Sequence, residues 1–282
     1  MSRLRLAMAT SLAMIAFAGN SLLCRIALRQ THIDAATFTT VRIVSGALAL
    51  WLIVRLRSSA ARSGGSWPAA AALMAYAVCF SLAYVSLPAA SGALLLFGAV
   101  QVTMIGYGLW SGERLRAAGI VGVVCAFGGL IVLVLPGVAA PSLAGSALML
   151  AAGVGWGVYS LLGKRVSGDP TATTAGNFIR AIPITCVFSL CALPWLSIDG
   201  AGVTYAIASG AITSGVGYAI WYTALPGLQA TQAGIVQLSV PLIAALGGIV
   251  LLGEPVSVRL GLAAIAILGG IALVIIGKKR AA

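Results

Sequence analysis

Glu113 and Glu254 are the only glutamates in this 282-residue chain, and each follows a glycine. Carboxylates in an apolar chain can couple proton movement to other work, so their placement matters first. Their spacing points to a different role. Glu113 precedes the pair Gly128-Gly129 at the same interval by which Glu254 precedes Gly269-Gly270, and the two glutamates stand half a chain apart. Each is expected to cap the N-terminus of the helix that follows it, where the helix dipole favours negative charge. Pro255, directly after Glu254, suits a helix start. The acids Asp34, Asp169 and Asp199 and the single histidine, His32, also fall in loops or at helix ends. A proton relay through the membrane would need such groups within it, so the pattern favours a facilitator or exchanger.

The elements that hold these residues follow from composition. The chain is 61% hydrophobic and 8% charged, with a mean hydropathy of +1.08. Soluble domains carry about 25% charged residues, so a bilayer is the solvent that suits this chain. At about 20 apolar residues per crossing, spans are expected at 5–27, 35–56, 67–87, 90–111, 117–135, 142–163, 174–195, 203–224, 229–252 and 258–277. The first is read as a retained helix, because Leu22-Leu23-Cys24 lacks the small residues of a cleavage site. Cys24, Cys79, Cys125, Cys186 and Cys191 lie in apolar stretches and are expected to be reduced and buried. The net charge of +12 shows no basic stripe interleaved with aromatics, so no nucleic acid is expected as a partner.

Charge then sets topology. With the N-terminus inside, 12 of the 17 basic residues fall on the inner side and three, Arg25, Arg29 and Arg259, on the outer. Arg42 and Arg180 lie within spans. This bias puts both termini in the cytoplasm. Five spans per half make the duplication an inverted repeat, residues 1–139 and 140–282. Further echoes support it: Tyr84-x-x-Leu87-Pro88 with Tyr222-x-x-Leu225-Pro226, Phe17–Arg25 with Trp156–Lys164, and Arg42 with Arg180. The fold class is an all-α membrane protein of ten transmembrane helices, two five-helix inverted repeats.

The two Gly-Glu motifs closing the fourth and ninth spans, and Trp156-Gly157 opening the second half, resemble the drug/metabolite transporter superfamily (EamA-type). Within it the chain looks most like YddG-type exporters of aromatic and other amino acids. The resemblance covers roughly residues 5–277 and implies a bundle around a central cavity lined mainly by spans 1, 3, 4, 6, 8 and 9. It departs from small multidrug exporters of that superfamily, which carry a glutamate in the first span where this chain has Asn20. Proton-coupled export of cationic drugs is thereby disfavoured, and phosphate-rich substrates such as nucleotide sugars lack a basic cluster in the central spans.

On those helices the candidate substrate-binding residues are Asn20, Gln101, Tyr159, Gln237 and Ser239, with Tyr76, Phe80, Trp156 and Tyr218. Amides can bond both ends of a zwitterion without a fixed charge, and the rings suit an apolar or aromatic side chain. The competing role is helix-to-helix bonding and packing. Gln237 stands out because Pro241, inside span 9, cannot donate to its carbonyl. Arg42 and Arg180 either hold an anionic group such as a carboxylate, or snorkel to the interface or bond backbone carbonyls; the resemblance puts their helices at the periphery, which favours the latter. Gly153-x-Gly155-x-Gly157 lies in an apolar helix and reads as close helix approach rather than a nucleotide loop. No HExxH and no Ser/His/Asp set is present, so no enzyme is expected. Neither metal nor cofactor is expected. The expected partners are a small-molecule substrate and the lipid bilayer of an inner (cytoplasmic) membrane, with the chain acting as a monomer.

Overall fold

Residues 2–57, 64–112, 117–135, 140–163, 168–224, 227–228 and 236–277 are described by this structure, a computed structural model. Glu113 lies outside them. Apolar runs long enough to cross a bilayer leave the backbone no water to bond, so the chain satisfies itself internally as helix. The helices are α1 (Arg3–Gln30), α2 (Ala35–Leu56), α3 (Trp67–Ser86), α4 (Ala89–Trp110), α5 (Ala117–Val134), α6 (Leu143–Gly163) and α7 (Pro170–Cys191). After a short 3-10 turn at Leu193–Trp195 come α8 (Gly200–Ala224), α9 (Ser239–Leu252) and α10 (Val258–Gly277). Eight of the described helices, α1 to α8, are long and apolar enough to cross a membrane.

Local chemistry starts them. Asp34 Oδ1 accepts from Ala36 N and Thr37 N at 2.8 and 2.9 Å. Asp169 Oδ1 accepts from Thr171 N at 2.9 Å, and Asp199 accepts from Gly202 N. These N-caps satisfy donors the helix itself cannot. Asp169 and Pro170 therefore start α7 ahead of the expected position 174. Gly253, φ +62°, ends α9 in a left-handed cap, its N–H bonded to Ile249 O at 3.1 Å and Glu254 N bonded to Gly248 O at 3.1 Å. Gly112 also has positive φ, +92°. The repeated glycine thus marks a helix end in a left-handed turn.

Contacts sort the helix ends into two sets. At one end Asp34 N donates to Ser197 O, Glu254 meets Arg25 and Ala89, and Ser86 Oγ meets Ser142 Oγ. At the other, Arg57 Nη1 donates to Thr171 Oγ1 and Arg180 Nη1 to Gly64 O. Successive helices therefore run in alternate directions. Glycine lets them approach: a Cβ on Gly155 would fall 2.9 Å from Tyr76 N of α3, and one on Gly153 would meet Leu96 O of α4 at 2.6 Å. The triple glycine of α6 serves close approach, as expected. Gly122 and Gly270 likewise bring α5 against α10, backbone to backbone.

The surface is apolar and the interior carries the polarity. Leu48, Val124, Val187, Leu246, Val250 and Ile265 are all more than 60% exposed, while Asn20, Ser21, Arg42 and Gln101 are buried. Such an inversion suits lipid outside and a polar path within. Trp51, Trp67, Trp110 and Trp195 are exposed near helix ends, as an interfacial belt requires.

Two expectations are corrected here, and a third, at Pro241, is met. All five cysteines are free, but only Cys24 is fully buried; Cys125, Cys186 and Cys191 sit on exposed, lipid-compatible faces. An apolar span exposes apolar side chains outward, so position in a span does not bury a thiol. Pro241 does mark an interruption of span 9: Val236 and Gln237 are helical, Leu238 is a turn, and α9 resumes at Ser239 with Pro241 in its first turn. Pro255 lies ahead of α10 rather than at its first position, and Ser257 Oγ accepts from Leu260 N at 3.1 Å to cap that helix. Glu254 does not.

Candidate functional site

Asn20, past the midpoint of α1, is the centre of a polar junction between three helices. Its Nδ2 donates to the Tyr76 hydroxyl of α3 at 3.0 Å. Its Oδ1 accepts from Ser209 Oγ of α8 at 2.7 Å, with Thr213 Oγ1 at 3.4 Å. Thr213 also donates to Ser209 O at 2.7 Å. Nδ2 carries a second N–H, and the described residues offer it no acceptor.

Ser209 and Thr213 reach Asn20 because α8 is not a regular helix. Residues Ala208–Val216 form a π-helical stretch, which widens the turn and re-aims the side chains it carries. Such stretches recur at functional sites. Both residues are buried.

Aromatic rings surround the junction. Trp156 lies 5.0 Å from Tyr76 and 5.0 Å from Tyr218, centroid to centroid. Phe17 stands edge-on to Tyr218 at 5.7 Å and to Trp221 at 5.9 Å. Tyr76 and Phe80, one turn apart on α3, are 5.2 Å apart. A cavity opens among Phe17, Asn20, Ser21, Tyr76, Phe80, Leu96, Phe97, Trp156 and Tyr218. Its free volume is about 20 Å³, room for about one water molecule and far too little for an organic solute. The helices must part before one can enter.

Of the sequence candidates, Asn20, Tyr76, Phe80, Trp156 and Tyr218 come together around this cavity. Tyr159 packs behind Trp156 at 5.5 Å, and its hydroxyl accepts from Asn177 Nδ2 at 3.3 Å. Gln101 is buried on α4, outside the lining. Gln237 is half-buried ahead of α9, and Ser239 donates to Val236 O at 2.6 Å; neither is in the lining. The lining comes from α1, α3, α4, α6 and α8, not from α9. Phe17, Ser209 and Thr213 were not among the candidates. The run Ser209-Gly210 with Thr213-Ser214-Gly215, small and polar inside an apolar span, was the available signal.

Glu254 is structural, by a route different from the one expected. Its Oε1 accepts from Arg25 Nε at 3.1 Å and its Oε2 from Ala89 N at 2.7 Å. It therefore caps α4, a helix 165 residues earlier, and neutralises Arg25, whose Nη1 also donates to Tyr84 O and Val85 O. The two intramembrane arginines diverge. Arg180 donates to Gly64 O and Gly176 O at 2.8 and 3.0 Å, the carbonyl-bonding role foreseen. Arg42 does not snorkel: it is 2% exposed, with its guanidinium against the rings of Tyr76 and Phe80 at 5.4 and 5.1 Å. Its side chain leaves α2 on the inward face, toward α3.

Outside the spans, burial pushes the Asp34 carboxyl up, but the Thr37 side chain and the backbone N–H groups of Ser197, Thr37 and Ala36 outweigh it and hold the pKa below the usual value. The backbone N–H groups of Gly202 and His32 do the same for Asp199, despite some desolvation. Both carboxylates stay charged at neutral pH and serve as caps.

Comparison with known proteins agrees with this picture. The EamA-like transporter family model matches residues 143–276. An uncharacterized protein of Pseudomonas aeruginosa is 55% identical over 267 residues, 94% of this chain and 93% of its own. The threonine/homoserine exporter RhtA of Salmonella typhimurium is 35% identical over 117 residues, 40% of this chain and 38% of its own. A crystal structure at 20% identity covers 99% of this chain and 100% of that one with a TM-score of 0.66, a likeness of fold. A bundle that is apolar outside and polar at its centre is what such proteins require, and the chain belongs to the EamA-like transporter family, within the drug/metabolite transporter superfamily, as a multi-pass membrane protein.

Proposed function

We propose that this protein is a secondary transporter, an exporter or facilitator, that moves neutral amino acids by alternating access. The carrying observation is the Asn20 junction: an amide and hydroxyls from α1, α3 and α8 meet inside an aromatic box at the centre of an apolar bundle. An amide has donors for a carboxylate and an acceptor for an ammonium group, and the rings accept an apolar side chain. The partial match to a threonine/homoserine exporter supports amino acids as the substrate class, and the rings favour the aromatic-accepting, YddG-like end of that class.

In this reading residues 1–139 and 140–282 are inverted five-helix halves, ten spans in all, in an inner membrane with both termini cytoplasmic. The monomer is the working unit. The Arg25–Glu254 end faces outward, and the cavity, too small for a solute, belongs to a contracted state that must widen before binding. No carboxylate borders the cavity among the described residues, which favours movement down the substrate's own gradient.

Counterflow in proteoliposomes tests this. Vesicles preloaded with unlabelled L-threonine or L-phenylalanine should accumulate the labelled amino acid transiently, and removing a pH gradient should leave that accumulation unchanged. Failure with every amino acid of a full panel would overturn the reading.

A further inference from the structure

Arg42 is a buried cation that no described residue neutralises. It is 2% exposed, and its Nη1 is fully buried without a hydrogen-bond partner. No carboxylate among the described residues pairs with it. The described acids are committed elsewhere: Asp34, Asp169 and Asp199 cap their own helices, and Glu254 holds Arg25 and Ala89 N. A guanidinium cannot shed its proton at physiological pH, so the charge persists. Stacking on Tyr76 and Phe80 offsets part of the burial cost, yet it supplies no counter-charge. An uncompensated charge deep in a membrane bundle is costly, and where one occurs it marks a path for an ion or substrate.

Position makes the point specific. Tyr76 and Phe80, the two rings on which the guanidinium stacks, are also walls of the central cavity, and Tyr76 holds Asn20. The charge therefore lies against two walls of the space a solute would occupy. The π-helical stretch of α8 lies against the same turn of α2, with Gly210 packed on the Arg42 carbonyl. A shift of α8 that enlarges the cavity must also move the backbone carrying Arg42. Arg180, its counterpart in the second half, is bonded to two carbonyls instead. The repeat thus preserves the residue type while only one copy is left without an oxygen partner.

We propose that Arg42 is the anchor for a carboxylate on the transported molecule, reached when Tyr76 and Phe80 move as the cavity opens. Planar, bidentate pairing of guanidinium with carboxylate gives this contact its specificity. This rests on the reading of the protein as a transporter but does not require the substrate to be an amino acid. Acids would be bound, and their amides rejected.

Thermal unfolding of the purified, detergent-solubilised protein tests it with L-threonine, L-phenylalanine, their carboxamides, and L-lactate as probes. In the wild type the acids should raise the midpoint and the amides should bind about 10- to 100-fold more weakly, as expected for losing a charged hydrogen-bonded pair. Arg42→Met should keep or raise the ligand-free midpoint, because an unpaired buried charge has been removed, and should lose the preference for acids. Arg42→Lys should retain part of it. Response to lactate alone would remove the amino-acid reading and leave Arg42 standing. Equal response to acids and amides, retention of the preference in Arg42→Met, or no response to any acid would overturn the proposal. So would a large drop in the ligand-free midpoint of Arg42→Met, which would make the arginine structural.

Discussion

Removing Glu254 should loosen one end of the bundle by an amount the geometry sets. The carboxylate accepts two charge-assisted bonds, from Arg25 Nε at 3.1 Å and from Ala89 N at 2.7 Å, with side chains only 10% and 12% exposed in the Arg25–Glu254 pair. Hydrogen bonds to charged groups are worth about 1.5–3 kcal/mol each. Arg25 keeps its bonds to Tyr84 O and Val85 O after the change, so the loss falls below the sum. For Glu254→Ala we expect a destabilisation of about 2–4 kcal/mol. Glu254→Gln retains an oxygen for Ala89 N and gives up the charge, so about 1–2 kcal/mol is expected. The assay is unfolding in mixed micelles with increasing SDS, followed by tryptophan fluorescence. A double-mutant cycle with Arg25→Met should return a coupling of about 1–3 kcal/mol. If Glu254→Ala unfolds within about 0.5 kcal/mol of wild type, the brace contributes nothing and the assignment of Glu254 to it is wrong.

Asn20→Leu keeps the volume but strands Tyr76 and Ser209, Thr213 keeping its bond to Ser209 O; at about 0.6 kcal/mol per interhelical bond, stability should drop by about 1 kcal/mol while counterflow falls at least tenfold. Near-normal transport by that variant would take Asn20 out of the site. At the α5–α10 contact, Gly122→Leu has no room beside Gly270 O, Val274 and Leu273 and should cost about 1–3 kcal/mol. Gly128 faces open space, so Gly128→Ala should instead stabilise by about 0.5–1 kcal/mol; SDS unfolding of both variants reads the contrast, and equal effects would refute the packing. The caps set the acid limit: because Asp34 and Asp199 titrate below their usual range, their contribution is complete above the unfolded value of about 3.9 and is lost as pH falls through the lower folded value. The unfolding midpoint should therefore be flat from pH 7 to pH 5 with respect to these groups and drop below about pH 4, with a shallower drop in Asp34→Asn; an unchanged drop would assign the acid limit elsewhere.

What the sequence could tell is bounded by the range of its signals. Asp34 announces the helix start expected at 35 because a cap acts over two or three residues, the same signal at Asp169 went unread, and a span announces itself because the bilayer demands a length. The partners of Glu254 are 165 and 229 residues away, and Ser209 is 189 residues from Asn20; no periodicity links them. Facing is harder still. In a soluble helix the apolar stripe names the buried side, but lipid is as apolar as leucine, and neither α2 nor α4 concentrates its apolar residues on one side. The stripe that would have turned Arg42 inward does not exist. The readable residue in a bilayer is the polar one: Asn20, Arg42, Ser209 and Thr213 lie within apolar helices and are buried, because outward they would face lipid without a partner. Rarity made Glu254 look like chemistry, whereas its place at a helix end, against Ala89 N and Arg25, makes its work closure.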